Sequence, residues 1–158
     1  MNFLTEHGIS SYGELESKLT AVSARRDTAH AEIKRIESRS AELTLVMKHA
    51  GTYRQLKPLY DRYRKSNDKE KFLRGHESEI ILFEAAAREL KRLGAVPLPT
   101  TESMKKELAN LTAEKERLLV EYKAARTEAQ EYDTVKQNVD ALLTVPKEQE
   151  QQRRHELE

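Results

Sequence analysis

The residues best suited to chemistry in this sequence lie in its middle, where aromatic and cationic side chains alternate. Positions 52 to 74 carry eight basic and three acidic side chains, a balance of +5, and include Tyr53, Tyr60 and Tyr63. Aromatic rings interleaved with cations can stack the bases and hold the phosphates of single-stranded nucleic acid. The candidate DNA-binding residues are the eight cations of this stretch: Arg54, Lys57, Arg62, Arg64, Lys65, Lys69, Lys71 and Arg74.

The same three tyrosines also have the spacing of residues on one face of an amphipathic helix. In that interpretation their rings pack against neighbouring apolar side chains, and their hydroxyl groups reach water. We favour packing over base stacking. The cations would then occupy the outer face, where they could still bind DNA non-specifically, with an affinity that falls steeply as salt rises.

The sequence contains no residue pattern typical of a catalytic or metal site. It has no cysteine, no glycine-rich phosphate loop and no pair of histidines at metal-ligand spacing. His76 stands close to Glu79 at helical spacing, and we expect it to line or cap a core rather than to act in catalysis. The sequence therefore predicts a non-catalytic protein without a metal or cofactor.

Two long segments with periodic apolar residues must position this middle stretch. The first arm (about 11–50) and the second arm (about 101–143) carry apolar residues at alternating intervals of four and three. We call these positions the seam of each arm. Nine of eleven seam positions in the first arm, and ten of twelve in the second, are apolar or aromatic. This period is typical of a helix that presents one narrow face to a partner helix.

Two shorter helices, about 53–66 and 68–93, are predicted between the arms. We place a break at Gly51, because glycine is favoured just past the end of a helix. The run from Ile80 to Phe83 is apolar on nearly all sides of the second short helix, so we expect this helix to be the most buried. Pro146 is expected to end the second arm.

The predicted fold is all-α: an elongated helical bundle in which the two arms form an antiparallel coiled coil with the short helices between them. Residues 1–158 form a single helical domain, with residues 1–10 and 147–158 as frayed ends. A first helix unbroken to Ser66 is the alternative. We expect that case to leave the arms pointing the same way and their seams uncovered, which would predict a homodimer.

Composition supports long helices and excludes several classes of protein. With 35% charged residues and a mean hydropathy of -0.81, the chain matches helical or coiled-coil proteins better than thick globular ones. Without cysteine it cannot form a disulfide framework. No apolar run follows Met1, and no stretch has the length of a membrane span. We therefore expect a soluble, cytoplasmic protein without a membrane partner.

A series of motifs is ordered along the middle and last helices. The motifs are Tyr53 followed by Tyr60-x-x-Tyr63-Arg64-Lys65, Lys71-Phe72-x-x-x-His76-x-x-x-Ile80-Ile81-Leu82 with Ala85-Ala86-Ala87, Leu98-Pro99, Glu121-Tyr122-x-x-Ala125-Arg126-x-Glu128 and Lys136-x-Asn138-Val139-Asp140-x-Leu142-Leu143. Together they resemble the C-terminal helical region of relaxases, the mobilisation nucleases of conjugative and mobilisable elements in Firmicutes. The resemblance covers about residues 11–143 and departs from the family pattern at Gly51, Pro58 and Phe83.

This resemblance implies the non-nuclease, C-terminal part of a larger DNA-processing protein. The nicking chemistry of the family belongs to an N-terminal domain with a nucleophilic tyrosine and a histidine-rich metal site, and no residue of this chain matches that domain. The implied partners are DNA and the relaxosome or coupling proteins. The alternative is a structural coiled-coil adaptor that binds a protein partner and has no role with nucleic acid.

Overall fold

The computed structural model describes residues 3–7 and 9–156, and these residues are helical with short connections and no β-strand. No helix within this range is long and apolar enough to cross a membrane. The elements in chain order are α1 (Phe3–Glu6), α2 (Tyr12–Lys65), α3 (Lys69–Arg92) and α4 (Thr101–Glu156). The all-α class expected from the sequence is confirmed.

The predicted break at Gly51 is wrong, because α2 continues through it as one helix from Tyr12 to Lys65. The first arm and the first short helix are therefore parts of a single element. Thr52 Oγ1 donates a hydrogen bond to the Lys48 carbonyl oxygen (3.4 Å), four residues earlier, instead of capping a new helix. A glycine inside a helix costs only about 1 kcal/mol relative to alanine. The burial of Ala50 on one side of Gly51 and the packing of Tyr53 on the other outweigh this cost.

Pro58 also lies inside α2, where a proline removes one backbone hydrogen bond and costs about 3 kcal/mol. The helix nevertheless continues for seven residues beyond it, to Lys65. This last part of α2 holds Tyr60 and Tyr63, whose rings contact Phe83 and Phe72 of α3. Aromatic packing on α3 thus keeps the chain helical past the proline.

The N-terminus of α2 forms at the start predicted for the first arm, near residue 11. Ser11 precedes the helix, and its hydroxyl accepts a hydrogen bond from the Glu14 backbone N–H (3.2 Å). The Glu14 carboxylate accepts from the backbone N–H of Ser10 (2.8 Å) rather than from Ser11. This hydrogen bond, with a second one from the Ser10 hydroxyl, lowers the pKa of Glu14 below its ordinary value.

The first ten residues contain more structure than we expected, since Phe3–Glu6 form the single turn α1. The expected fraying falls partly outside the described residues, which omit Met1, Asn2, Gly8, Leu157 and Glu158. At the other end the prediction that Pro146 stops the second arm is wrong, because α4 continues to Glu156. The residues after Pro146 are mostly Glu, Gln, Lys and Arg, which are good helix formers, and this explains the continuation.

The ends of α3 agree with the bounds predicted for the second short helix, about 68–93. Asp68 caps the N-terminus by accepting a hydrogen bond from the Lys71 backbone N–H (3.1 Å). At the C-terminus Gly94 has a φ of 71°, a left-handed conformation that glycine adopts without steric cost. The Ala95 N–H donates to the Leu90 carbonyl (2.9 Å) and the Gly94 N–H to that of Lys91 (3.1 Å). These two bonds are the Schellman arrangement, which satisfies carbonyl groups at a helix end.

The structure divides into two compact units. Unit 1 comprises Met1–Ile33 and Glu116–Glu158, and unit 2 comprises Lys34–Lys115. In unit 1 the first part of α2 packs on the second part of α4. Arg25 pairs with Glu128 (3.4 Å) and the Tyr12 hydroxyl donates to Asp140 (2.6 Å), so the two helices run antiparallel there. The core of unit 1 is formed by Leu15, Val22, Ala125, Ala129 and Tyr132.

In unit 2 the second part of α2 contacts both α3 and the start of α4. The guanidinium of Arg39 makes a two-pronged ion pair with Glu107 (2.8 and 3.3 Å). Arg35 lies 3.9 Å from Glu114, and Lys115 lies 3.4 Å from Glu37. The buried residues of this unit are Ile36, Leu43, Val46, Ala50, Ile80, Phe83, Ala86, Leu90, Ala95, Met104 and Leu111.

Within unit 2, α3 and the start of α4 both run antiparallel to α2. Along α3, Phe72 contacts Tyr63 and Phe83 contacts Tyr53, while at the start of α4 Thr101 contacts Arg54 and Glu107 contacts Arg39. The alternative with a first helix unbroken to Ser66 assumed that α4 runs opposite to α3. With α3 antiparallel to α2, α4 would then run parallel to α2, and the two arms would point the same way. That assumption is wrong, because residues 93–100 connect α3 to α4 without a reversal.

Two burial predictions also need correction. Ile81 and Leu82 are 53% and 56% exposed, so α3 buries only one face although its sequence is apolar on several sides. Leu143, the last predicted seam position of the second arm, is 59% exposed. In both places no other element of the described chain covers the side chain, and helical periodicity alone does not indicate where a partner helix ends.

Candidate nucleic-acid interface

The turn between α2 and α3 brings two basic segments together. The Ser66 hydroxyl donates to the Asp68 carbonyl oxygen (3.1 Å) and accepts from the Asp68 N–H (3.2 Å), which closes the chain reversal within three residues. The last turn of α2 and the first turns of α3 therefore meet at one end of unit 2. We name residues 62–74 the basic turn.

All eight predicted DNA-binding cations are exposed to solvent. Five of them, all in the basic turn, make no ion pair with any residue that the structure describes. Lys69 and Lys71 stand in the first turn of α3, where the positive end of the helix dipole disfavours cations. The positive charges of Lys69 and Lys71 therefore neither stabilise α3 nor form ion pairs with other described residues. The five cations are Arg64, Lys65, Lys69, Lys71 and Arg74.

The other three predicted cations have contacts within unit 2. Arg54 donates to Thr101 Oγ1 (2.8 Å) and to the Pro99 carbonyl oxygen (2.6 Å), and so holds the connection between α3 and α4. Lys57 pairs with Asp61 (3.0 Å), and this contact raises the pKa of Lys57. The guanidinium of Arg62 lies 6.0 Å from the centre of the Phe72 ring, a cation–π contact. These three side chains therefore have structural contacts that the sequence did not predict.

The three tyrosines of the middle stretch pack against α3, as we favoured. Phe83 stacks on Tyr53 (ring centres 4.8 Å apart, 25° between planes) and on Tyr60 (4.2 Å, 26°). Tyr63 contacts Tyr60 (5.9 Å) and Phe72 (6.0 Å). Aromatic pairs of this kind stabilise a structure by about 0.5–1.5 kcal/mol beyond their burial. The five rings form one cluster, which joins the end of α2 to α3.

A groove with a volume of ≈ 430 Å³ runs beside this cluster between α2 and α3. We call it the aromatic groove. The rings of Tyr53, Tyr60 and Phe83 line it together with the side chain of Ala87. Its charged lining residues are Lys57, Asp61 and Arg64 from α2 and Glu84 and Arg88 from α3.

The sequence prediction did not include the α3 side of this groove. Phe83 and Ala87 are four residues apart, as are Glu84 and Arg88, so each pair shares a helix face. We assigned Phe83 only to the core and Arg88 to no site. The four-residue spacing of these pairs, close to a basic segment, could have indicated a binding surface on α3. Nothing in the sequence specified which face of α3 meets the tyrosines.

His76 marks an irregular point in α3. Its backbone leaves the helical conformation (φ -137°, ψ 26°), and its ring lies 4.7 Å from that of Phe72. His76 Nδ1 is buried and has no hydrogen-bond partner, and the nearest Glu79 oxygen is 3.9 Å away. The imidazole thus lines the aromatic cluster, as the sequence predicted, and the expected bond to Glu79 is too long for a hydrogen bond.

The described residues contain no group of three or more His, Cys, Asp or Glu side chains placed to hold a metal ion. Comparison with protein-family models, with curated proteins and with solved structures found no match to the chain. The basic turn and the aromatic groove are therefore interpreted from their own geometry.

Proposed function

We propose that the chain is a non-catalytic helical interaction module that binds DNA through the basic turn. The observation that supports this most directly is the set of five exposed cations without ion pairs, two of which oppose the dipole of α3. Cations that contact phosphates release counterions from DNA, which gives a sequence-independent attraction. The rigid aromatic cluster behind the turn fixes the positions of the two helix ends that carry these cations.

The proposal includes a relaxase context, which is supported by the ordered sequence motifs. In this context the chain is the C-terminal part of a larger cytoplasmic mobilisation protein, and the nicking chemistry belongs to an upstream domain. Relaxosome or coupling proteins are the additional partners. Nicking of a supercoiled plasmid by this chain alone would contradict the assignment of a non-catalytic role.

We also propose that the seams of α2 and α4 pack as an antiparallel coiled coil. Seven of the eleven predicted seam positions of the first arm are buried, and they follow one another at intervals of three, four or seven residues. Cross-helix ion pairs such as Arg39–Glu107 flank the seam, as charges at the borders of coiled coils do. Light scattering tests whether the seams are satisfied within one chain: a monomer is expected, and a homodimer would indicate pairing between chains.

A second candidate function is a structural adaptor with no role in DNA binding. The exposed Ile81 and Leu82 favour it, because adjacent large apolar side chains on a surface often mark a protein contact. The two functions differ in which surface is used. Substitution of both residues by serine would leave DNA binding unchanged if the basic turn is the interface.

The DNA proposal is tested by titrating a fluorescein-labelled 20-base-pair duplex at 50 and 200 mM salt. If all five cations contact phosphates, affinity should fall on the order of 500-fold between these concentrations. Changing the five unpaired cations Arg64, Lys65, Lys69, Lys71 and Arg74 to glutamine should abolish this salt-dependent binding. Glutamine keeps most of the helix propensity, so the helices should remain intact.

The matched control changes five exposed cations of α4 to glutamine: Lys105, Lys106, Arg117, Lys123 and Arg126. Both variants alter the net charge equally, so only the position of the cations differs. The control should keep near-native affinity. Equal losses in both variants, or no binding by the unmodified chain at 50 mM salt, would exclude the basic turn as a DNA interface and leave the adaptor.

A further inference from the structure

We infer that the aromatic groove takes the bases of single-stranded nucleic acid, so that the chain prefers single strands to duplexes. This inference rests on the proposed DNA-binding function and deepens it, because it names the form of the nucleic acid. It adds Ala87 and Arg88, which the sequence did not suggest, to the interface. It also gives Tyr53 and Tyr60 base stacking in addition to the packing that we favoured from the sequence.

The floor of the groove is aromatic and fixed in place. Tyr53 and Tyr60 are half-buried, and each stacks on Phe83, which is only 5% exposed. Because these rings are already held by their neighbours, a ligand that contacts them causes little further loss of side-chain freedom. Every base has a flat π face, so such a floor accepts bases without strong sequence preference.

The rim carries charges arranged for a nucleotide rather than for a simple anion. Arg64 and Arg88 are exposed on opposite helices, and neither pairs with a carboxylate in the described part of the chain. Asp61 is paired with Lys57, which leaves Glu84 as the exposed carboxylate on the α3 side. A carboxylate repels phosphate, but it accepts hydrogen bonds from the N–H groups of bases, such as the N3–H of thymine. Cations for phosphates and a carboxylate for base edges thus border one groove.

The groove joins the basic turn through Arg64, which belongs to both. A single strand could follow the cations of the turn with its phosphates and place unstacked bases in the groove. A duplex keeps its bases stacked inside, and extracting one costs a few kcal/mol. Duplex DNA would therefore contact only the outer cations, whereas a single strand would contact both surfaces.

The test compares three fluorescein-labelled probes by anisotropy at 100 mM salt: a 20-nucleotide oligothymidine, an abasic strand of the same length, and a 20-base-pair duplex. We expect the oligothymidine to bind at least about tenfold tighter than the abasic strand, since stacking of one base contributes this much. Equal affinity for these two strands would overturn the inference, because it would show that bases make no contact.

Two variants locate the base contacts. Ala87→Leu fills the floor of the groove with an uncharged residue of high helix propensity. It should lower affinity for oligothymidine about tenfold and leave duplex binding unchanged. Arg88→Gln, at the rim, should lower affinity for oligothymidine and not for the duplex. The control is Ala85→Leu, because residue 85 points about 200° away from residue 87 around α3. Circular dichroism checks that each variant remains helical.

The outcomes separate this inference from the proposed function. If Ala87→Leu and Arg88→Gln bind oligothymidine like the unmodified chain while the five-glutamine variant loses all binding, the basic turn binds DNA and the groove does not. If Ala85→Leu weakens oligothymidine binding as much as Ala87→Leu, the groove assignment is overturned. If the unmodified chain binds no probe, both proposals fail.

Discussion

Unit 1 and unit 2 use different kinds of side chain to hold their helices together. In unit 1 the core combines aliphatic and small residues with one large ring, that of Tyr132, which is 2% exposed. In unit 2 five aromatic rings join α2 to α3, and they pack beside buried aliphatic residues such as Ile80 and Leu90. Both units are crossed by ion pairs, but exposed pairs of this kind contribute only about 0–1 kcal/mol each. Packing therefore distinguishes the units.

This difference in packing indicates which unit holds the helices together and which unit offers a surface for binding. A seam of small residues, such as Ala125 and Ala129, lets two helices approach closely and leaves mainly charged side chains outside. An aromatic cluster instead keeps ring edges and faces at the surface next to cations such as Arg64. Unit 1 is therefore suited to maintaining helix pairing, and unit 2 contains the candidate contact surface.

The largest effect should come from removing the central ring of each unit. Phe83→Ala should destabilise the fold by about 3–5 kcal/mol, because it leaves a cavity and removes two stacked pairs. Tyr132→Ala should destabilise the fold by a similar amount, because its ring is 2% exposed and its removal also leaves a cavity. Urea unfolding followed by circular dichroism gives both values.

The controls for these variants are exposed aliphatic residues on the same helices, Leu82→Ala for α3 and Val120→Ala for α4. Each should change the free energy of unfolding by no more than about 0.5 kcal/mol. A loss at Phe83 no greater than that at Leu82 would show that the aromatic cluster is not what stabilises unit 2.

An intermediate effect is expected at two glycines of unit 2 that have opposite roles. Gly94→Ala should destabilise by about 1–2 kcal/mol, because its left-handed φ is unfavourable for a residue with a Cβ atom. Gly51→Ala should stabilise by about 1 kcal/mol, because a Cβ atom there meets nothing within 4 Å and alanine is the better helix former. Thermal unfolding of both variants checks the signs; destabilisation by Gly51→Ala would contradict a continuous α2.

The smallest effect concerns unit 1 and appears only in alkaline solution. The hydrogen bond to Asp140 raises the pKa of Tyr12 to about 12. Because this folded-state pKa lies above the unfolded value of 10.0, the contribution of Tyr12 to stability is complete below pH 10 and is lost as the pH rises through about 12.

Absorbance titration of tyrosinate between pH 9 and 12.5 measures this shift. Tyr12→Phe should remove a tyrosinate ionisation near pH 12 from the titration curve. If the variant and the unmodified chain have the same titration curve, the hydrogen bond between Tyr12 and Asp140 does not persist in solution.

Local signals in the sequence predicted the ends of the elements well. The predicted starts of the two arms near residues 11 and 101, and the predicted bounds of the second short helix near 68 and 93, depend on neighbouring cap and turn residues, and all are confirmed. The errors occurred where distant contacts override a local preference. Gly51 and Pro58 weaken a helix locally, but the rings of Tyr53 and Tyr60, each two residues further along α2, hold it against α3.

The candidate site was predicted only in part for the same reason. Net charge identified the cations, because charge is a property of the residues alone. It could not show that Arg54 would bind the Pro99 carbonyl, or that Lys57 would pair with Asp61, since these contacts depend on how α2 meets its neighbours. Predicting that Arg88 lies opposite Arg64 would likewise require knowing how α2 packs on α3.

The aromatic cluster also determines how this chain responds to light. The sequence contains no tryptophan, so its intrinsic ultraviolet emission comes from six tyrosines. Three of these, Tyr53, Tyr60 and Tyr63, belong to the cluster, and two of them line the groove. Half of the emitting side chains are thus concentrated in one small region of unit 2. Without any attached dye, the chain carries an optical reporter whose signal is weighted towards the groove.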